Sequence, residues 1–212
     1  SLKEIFSTAY QNFQKKNFQT AEILCNKILS IDSNYLESIF LLSTLAAINK
    51  NFDKSKRLLN QVIKIDANNV GAYNNLGNVE KQLKNFPQAI NSYQKTIQIN
   101  PKHVGAHFNL GNTYFELKEF QKAINYFQKV IKIQPNYVTA YFNLGNTYVE
   151  LKEFNKAISS YQKAIEIKPD YIGAHNNLGL TFRGLNDFKN AIRCYEKAIK
   201  IRPNHGGTHH NL

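Results

Sequence analysis

Cysteine is scarce in this chain: Cys25 and Cys194 stand alone among 212 residues. Two thiols so far apart in sequence do not make the disulfide framework of a small secreted domain, so no internal disulfide is expected and a reducing cytoplasm is the expected setting. Long hydrophobic runs are missing as well. No apolar stretch approaches the roughly 20 residues of a membrane span, and no hydrophobic segment behind a basic lead resembles a signal peptide, so no membrane insertion is expected. Acidic residues are outnumbered, with 15 Asp and Glu against 27 Lys and Arg and a net charge of +12. That balance admits acidic proteins, nucleic acid or an anionic membrane surface until the placement of the charge decides. Chemistry is thin too. No glycine-rich phosphate loop follows a strand pattern, and no serine or histidine is set apart as nucleophile and base. No catalytic residue and no cofactor is expected.

What is abundant is repetition. Asn109-Leu110-Gly111-Asn112-Thr113-Tyr114 returns thirty-four residues later as Asn143-Leu144-Gly145-Asn146-Thr147-Tyr148, and after one further residue each copy continues Glu-Leu-Lys-Glu-Phe. With the glycine as position 8 of a unit, residues 70–103, 104–137, 138–171 and 172–205 align without a gap. Residues 2–35 and 36–69 keep the length but lose several key letters, and 206–212 begin a further, partial unit. A fixed period makes neighbours stack, so residues 1–212 are read as one array and not as two globular domains.

Each unit carries two helical patterns. Tyr141, Leu144, Gly145, Tyr148 and Leu151 recur at the spacing of one helix face, which is helix A; after the polar break at Lys152-Glu153, residues Phe154, Ala157, Ile158, Tyr161, Ala164 and Ile165 define helix B. All five prolines respect this frame: Pro101, Pro135, Pro169 and Pro203 stop helix B at position 32, and Pro87 opens one, where its missing N–H costs nothing. Gly77, Gly111, Gly145 and Gly179 sit inside helix A, where glycine costs about 0.5–1 kcal/mol relative to alanine. Close packing must compensate, and Ala89, Ala123, Ala157 and Ala191 are the expected facing residues.

Length 34, Leu-Gly at positions 7 and 8, aromatic residues at 11 and 24, alanine at 20 and proline at 32 together resemble the tetratricopeptide repeat family. The resemblance spans the chain and is strongest in the last four units. Earlier, Ala9 and Ser43 replace the glycine, Cys25 and Leu59 the position-24 aromatic, and Ser33 and Ala67 the proline, while Glu80 takes the usual tyrosine position in the third unit. The family implies an all-α solenoid of antiparallel helix pairs, wound into a right-handed superhelix whose concave surface is lined mainly by helix A. It also implies a protein-protein interaction module.

Projected at 100° per residue, positions 2, 6, 9 and 13 of helix A lie opposite its packed side and are expected to face the groove. Position 6 reads Asn75, Asn109, Asn143 and Asn177, and position 9 reads Asn78, Asn112 and Asn146, then Leu180. Asparagine is a poor helix former, so a double row of it points to work for the amides. A primary amide donates and accepts, which suits a peptide backbone whatever its side chains. The other reading is that the amides bond to one another and brace the stack, or reflect duplicated units. The ladder is similar to that of the superhelix of protein O-GlcNAc transferase-type domains, which hold substrate peptides. Phe108 and Phe142 at position 5 border the groove as apolar anchors or as packing against the adjacent unit. Glu116 and Glu150 at position 13 add acid to it, which argues against an anionic ligand there. The carboxylate clamp of chaperone-binding relatives needs basic residues that positions 5 and 6 do not supply.

The remaining candidates are weaker. Lys27, Lys95, Lys129, Lys163 and Lys197 recur at position 26 of helix B, with Lys118, Lys122, Lys152 and Lys156 near the turns. A stripe of this kind is a solvated convex face or a contact for an acidic partner; nucleic acid is disfavoured, because no recognised motif accompanies the charge. The histidine pairs His205 with His209 and His103 with His107, and His210 beside them, lack a third metal ligand, so no metal site is expected. Ser1-Leu2-Lys3-Glu4 forms a capping box and is read as a natural beginning. The chain stops at position 7 of a seventh helix A, so the natural protein is expected to continue beyond Leu212, and a homo-oligomer through the uncapped C-terminal repeat is an allowed contact. The functional expectation is a module binding an extended peptide or partner protein along an asparagine-lined groove. The alternative is the substrate-recognition part of a larger glycosyltransferase or sulfotransferase with catalysis beyond residue 212.

Overall fold

The computed structural model describes residues 1–202. Pro203, the partial unit 206–212 and the cluster His205, His209 and His210 lie outside the described residues. Among those described there are twelve α-helices and no strand: α1 (Leu2–Gln14), α2 (Phe18–Ile31), α3 (Leu36–Ile48), α4 (Phe52–Ile65), α5 (Val70–Gln82), α6 (Phe86–Ile99), α7 (Val104–Glu116), α8 (Phe120–Ile133), α9 (Val138–Glu150), α10 (Phe154–Ile167), α11 (Ile172–Gly184) and α12 (Phe188–Ile201). Odd helices are the A helices and even helices the B helices, and every A helix starts on the first residue of a sequence unit. The protein is an all-α solenoid of helical repeats.

The same turn joins A to B in every repeat. Lys16, Lys50, Lys84, Lys118, Lys152 and Asn186 take a left-handed backbone, with φ between 58° and 63°. Their N–H groups and those of the following residues return to the last turn of helix A, as in Lys118 N to Phe115 O (2.9 Å) and Glu119 N to Tyr114 O (2.9 Å). This is the paired 5→2 and 6→1 closure of a helix C-terminus that usually carries glycine. Lysine holds the place in five repeats, at a cost of roughly 1 kcal/mol for its β-carbon. Helix B ends differently. The capping residues Asp32, Asp66, Asn100, Gln134, Lys168 and Arg202 are extended, with φ between −128° and −142°. A following proline favours that geometry. Asp32 and Asp66, which lack that proline, each accept the N–H two residues on at 3.0 Å and close an Asx turn, as Asn100 does before Pro101 at 3.2 Å.

The chain divides into two compact units, residues 1–106 and 107–212. In the first, consecutive helices pack on one another from α1 to α6, and the A helices also touch, α1 on α3 and α3 on α5. Ser1 caps α1 through the expected capping box. One core holds Ala9, Ala21, Cys25, Leu41, Leu42 and Leu45, and a second holds Ile39, Leu59, Val62, Ala72 and Val79. Glu80, 3% exposed, replaces the usual ring. It is held by Lys56 Nζ at 2.8 Å from α4 and by Asn85 Nδ2 at 2.8 Å, so both carboxylate oxygens are paired. A buried carboxylate without such partners would cost several kcal/mol.

In the second unit α8 packs on α9, α9 on α10, α10 on α11 and α11 on α12, with the A helices α9 and α11 side by side. Phe127, Tyr161 and Tyr195 are fully buried. Here one expectation needs correction. The atoms nearest the helix-A glycines belong not to the alanines but to the position-24 rings: a β-carbon on Gly145 would lie 2.5 Å from Tyr161 Cε1, and one on Gly111 2.6 Å from Phe127 Cε1. The same holds in the first unit, where Gly77 faces Tyr93. The ring crosses the helix at position 8, and its thickness, not the approach of two small residues, excludes a β-carbon. Where the ring is lost the glycine is lost with it, as in Ala9 with Cys25 and Ser43 with Leu59.

Candidate functional site

The asparagine rows sit on the A helices, and the structure shows what holds them. In the second unit Asn143 Nδ2 donates to Asn112 Oδ1 at 2.7 Å, and Asn177 Nδ2 donates to Asn146 Oδ1 at 2.8 Å. Position 6 of one repeat thus reaches back to position 9 of the repeat before it. The position-24 phenol joins the same acceptor: Tyr161 Oη donates to Asn146 Oδ1 at 2.7 Å, and in the first unit Tyr93 Oη donates to Asn78 Oδ1 at 2.8 Å. Burial raises the pKa of the Tyr161 phenol, which keeps its proton in that bond. Thr113, Thr147 and Thr181 lock the backbone beneath by donating to the carbonyls of Asn109, Asn143 and Asn177, each at 2.7 Å. The pattern ends at Leu180. It stands where Asn78 and Asn146 stand in their repeats, and the buried Tyr195 hydroxyl has no partner among the described residues.

Each ladder bond spends an Nδ2 hydrogen of position 6 and a lone pair of position 9. In Asn143 and Asn177 the Oδ1 atoms, and in Asn112 and Asn146 the Nδ2 groups, remain outside those bonds. An acceptor from one repeat and a donor from the next are what a peptide unit pairs with. These four side chains are half-buried, whereas Glu116 and Glu150 are exposed.

A cleft of about 310 Å³ in the second unit is lined by Asn146, Asn177, Glu150, Phe115, Val149 and Leu180, among others. Another, of about 440 Å³ in the first unit, contains Asn75 and Asn78. Both are in the size range of small-ligand pockets. Position 12, which supplies Phe115 and Val149, is a lining position that the helical projection left out, although it stands three residues from position 9 and one from position 13 on the same side of the helix. Position 2 behaves differently: a β-carbon on Gly71 would lie 3.1 Å from Phe40 Cζ, so the position-5 ring of the preceding repeat covers it.

Phe108 and Phe142 are half-buried and engaged with rings of their own repeats. Phe108 lies 5.9 Å from Phe127 and 5.2 Å from Tyr137; Phe142 lies 5.9 Å from Tyr161 and 5.1 Å from Tyr171. The basic stripe is tied locally. Lys163 pairs with Glu166 at 2.7 Å, Lys95 donates to Gln98 at 3.1 Å, and Lys129 lies 4.8 Å over the Tyr126 ring. His103 Nδ1 accepts the Ala106 N–H at 3.0 Å at the start of α7, and the His107 ring lies 6.0 Å from Tyr126, tilted by 35°. Among the described residues no three His, Cys, Asp or Glu side chains gather to hold a metal, and no helix is long and apolar enough to cross a membrane.

The sequence matches the family described as TPR repeat over residues 77–118 and 145–185. It matches families described as tetratricopeptide repeat over 2–31, 104–137, 126–159 and 173–205. No curated protein matches at a significant level. Among solved structures the chain is similar to MamA, with 30% identity over 78% of this chain and 96% of that one and a TM-score of 0.72. YrrB, described as a TPR protein with an unusual peptide-binding site, is 19% identical over 88% of this chain and 96% of its own, with a TM-score of 0.70. PilF of Pseudomonas aeruginosa is 15% identical over 99% of this chain and 95% of its own, with a TM-score of 0.83. At those identities the last two show the fold alone. The chain therefore belongs to the tetratricopeptide repeat family and is a protein-interaction module.

Proposed function

We propose that the chain binds an extended peptide, or an extended segment of a partner protein, along the amide-bearing side of its A helices. The observation that carries this reading is the orientation of the second-unit ladder. The bonds from Asn143 to Asn112 and from Asn177 to Asn146 fix the four amides, leaving at each bonded pair one acceptor and one donor for a backbone that supplies both. Bracing and binding are then one arrangement, because an amide held by its neighbour loses less rotamer freedom when a ligand arrives. Asn109 extends the second-unit surface, Asn75 and Asn78 present amides on the first unit, Glu150 favours basic side chains beside the second-unit cleft, and Glu116 adds to that charge.

The test is selection of random displayed peptides on the immobilised whole chain, followed by affinity measurement on the Asn109→Ala/Asn143→Ala variant. Each hydrogen bond lost costs about 1 kcal/mol of stability, so the variant stays folded by circular dichroism, and the selected peptide is expected to bind about tenfold more weakly. Unchanged affinity in the folded variant would leave the asparagines as braces alone, and failure to select any peptide would refute the reading.

A further inference from the structure

One ladder asparagine is not tied. Asn75 is preceded, one repeat earlier, by Thr44 where the later repeats carry asparagine, and Thr44 Oγ1 donates to the Phe40 carbonyl at 3.2 Å. The Asn75 side chain has no hydrogen-bond partner among the described residues. It lines the first-unit cleft of about 440 Å³, together with Ala47, Ile48, Phe52 and Val79 as apolar wall and Lys50. One side of the cleft is formed by the repeat that has lost the glycine and ring, with Ser43 and Leu59 in their places. The hydroxyls at its base are spent within the fold: Ser43 Oγ donates to Phe40 O at 2.6 Å and Ser55 Oγ to Ser43 O at 2.8 Å. No carboxylate lines it, and the Lys50 ammonium has no ion-pair or hydrogen-bond partner among the described residues. The left-handed turn residue Lys50, with φ of 58°, starts its side chain from a fixed backbone.

An apolar wall, the untied amides of Asn75 and Gln82 and one unpaired cation define a chemistry opposite in charge to the second-unit cleft, where Glu150 is the charged lining residue. We propose that the first-unit cleft is a subsite for a partner peptide carrying a large apolar side chain with a carboxylate within about two residues of it. The apolar side chain fills the space between α3 and α5. The Asn75 amide pairs with the peptide backbone, and Lys50 meets the carboxylate. This inference rests on the peptide-binding reading above and adds the side-chain preference of one subsite.

The experiment is a ¹⁵N-resolved titration of the whole chain with the hexapeptide acetyl-AAFAEA-amide, with the same peptide carrying alanine in place of phenylalanine, and with it carrying lysine in place of glutamate. The first peptide is expected to shift the Asn75 side-chain amide and the backbone amides of Ala47 and Val79, and to bind about tenfold more tightly than either relative. Asn75→Ala is expected to weaken it about fivefold at unchanged melting temperature, and Lys50→Glu to transfer the preference to the lysine peptide. Ala47→Phe, which fills the cleft, is expected to abolish these shifts; should that variant misfold, Asn75→Ala and Lys50→Glu carry the decision. Equal affinities for the three peptides, or shifts confined to Asn112, Asn146 and their surroundings, would overturn the subsite and leave peptide binding standing. Displayed peptides that bind elsewhere but no shift here would do the same, whereas no peptide binding anywhere would sink both readings.

Discussion

Position 15 of each repeat shows how much a single residue gives up. Lysine occupies a left-handed turn in five of six repeats, and Asn186 in the sixth, although glycine suits that backbone better. Replacing Lys118 by glycine relieves the crowded β-carbon and costs some unfolded-state entropy, so stability is expected to rise by roughly 0.5–1 kcal/mol. Urea denaturation of Lys118→Gly against the parent measures it; a loss of stability would mean that the lysine side chain contributes more at this turn than its backbone costs. Of the three first-unit lysines at the same position, Lys50 has a further use in the subsite proposed above.

At the scale of the helix pair, ring and glycine form one packing unit. A β-carbon on Gly145 would come within 2.5 Å of Tyr161 Cε1, so Gly145→Ser alone is expected to lose about 2–3 kcal/mol through overpacking. Tyr161→Leu alone leaves a void and costs a comparable amount. The second repeat already carries the matched alternative, Ser43 with Leu59. The double variant Gly145→Ser/Tyr161→Leu is therefore expected to be more stable than the sum of the single losses predicts, by about 1 kcal/mol or more in a double-mutant cycle. Strict additivity would show that the two positions do not pack as a pair. The exchange was visible in the sequence as a joint loss of glycine and aromatic. The contact behind it was not, because a 3.6-residue period names the face of a helix but not which neighbour crosses it.

For the molecule as a whole, pH is the accessible lever. Burial raises the thiols of Cys25 and Cys194 from 9.0 to about 11, and burial likewise raises the Tyr161 phenol. The folded chain holds these protons more tightly than the unfolded chain, so the stabilisation is complete below pH 9 and falls as the pH rises through about 11. Thermal unfolding followed from pH 8 to 11 is expected to show a declining melting temperature over that window, with iodoacetamide reacting slowly at neutral pH. An undiminished decline in Cys25→Ala and Cys194→Ala alike would assign it to the tyrosines.

The sequence alone determined the repeat length, the start of each helix, the places where helix B stops and the two asparagine rows, because these follow from periodicity, proline chemistry and helical projection. Only tertiary structure decided which amides are bonded. Asn143 and Asn177 find Asn112 and Asn146 across thirty-one residues of chain, while Asn75, with Thr44 in place of asparagine one repeat earlier, makes no such bond. Identical letters on identical faces become tied or untied according to what the preceding repeat presents, and that is a property of stacking distance and hydrogen-bond geometry, not of local pattern.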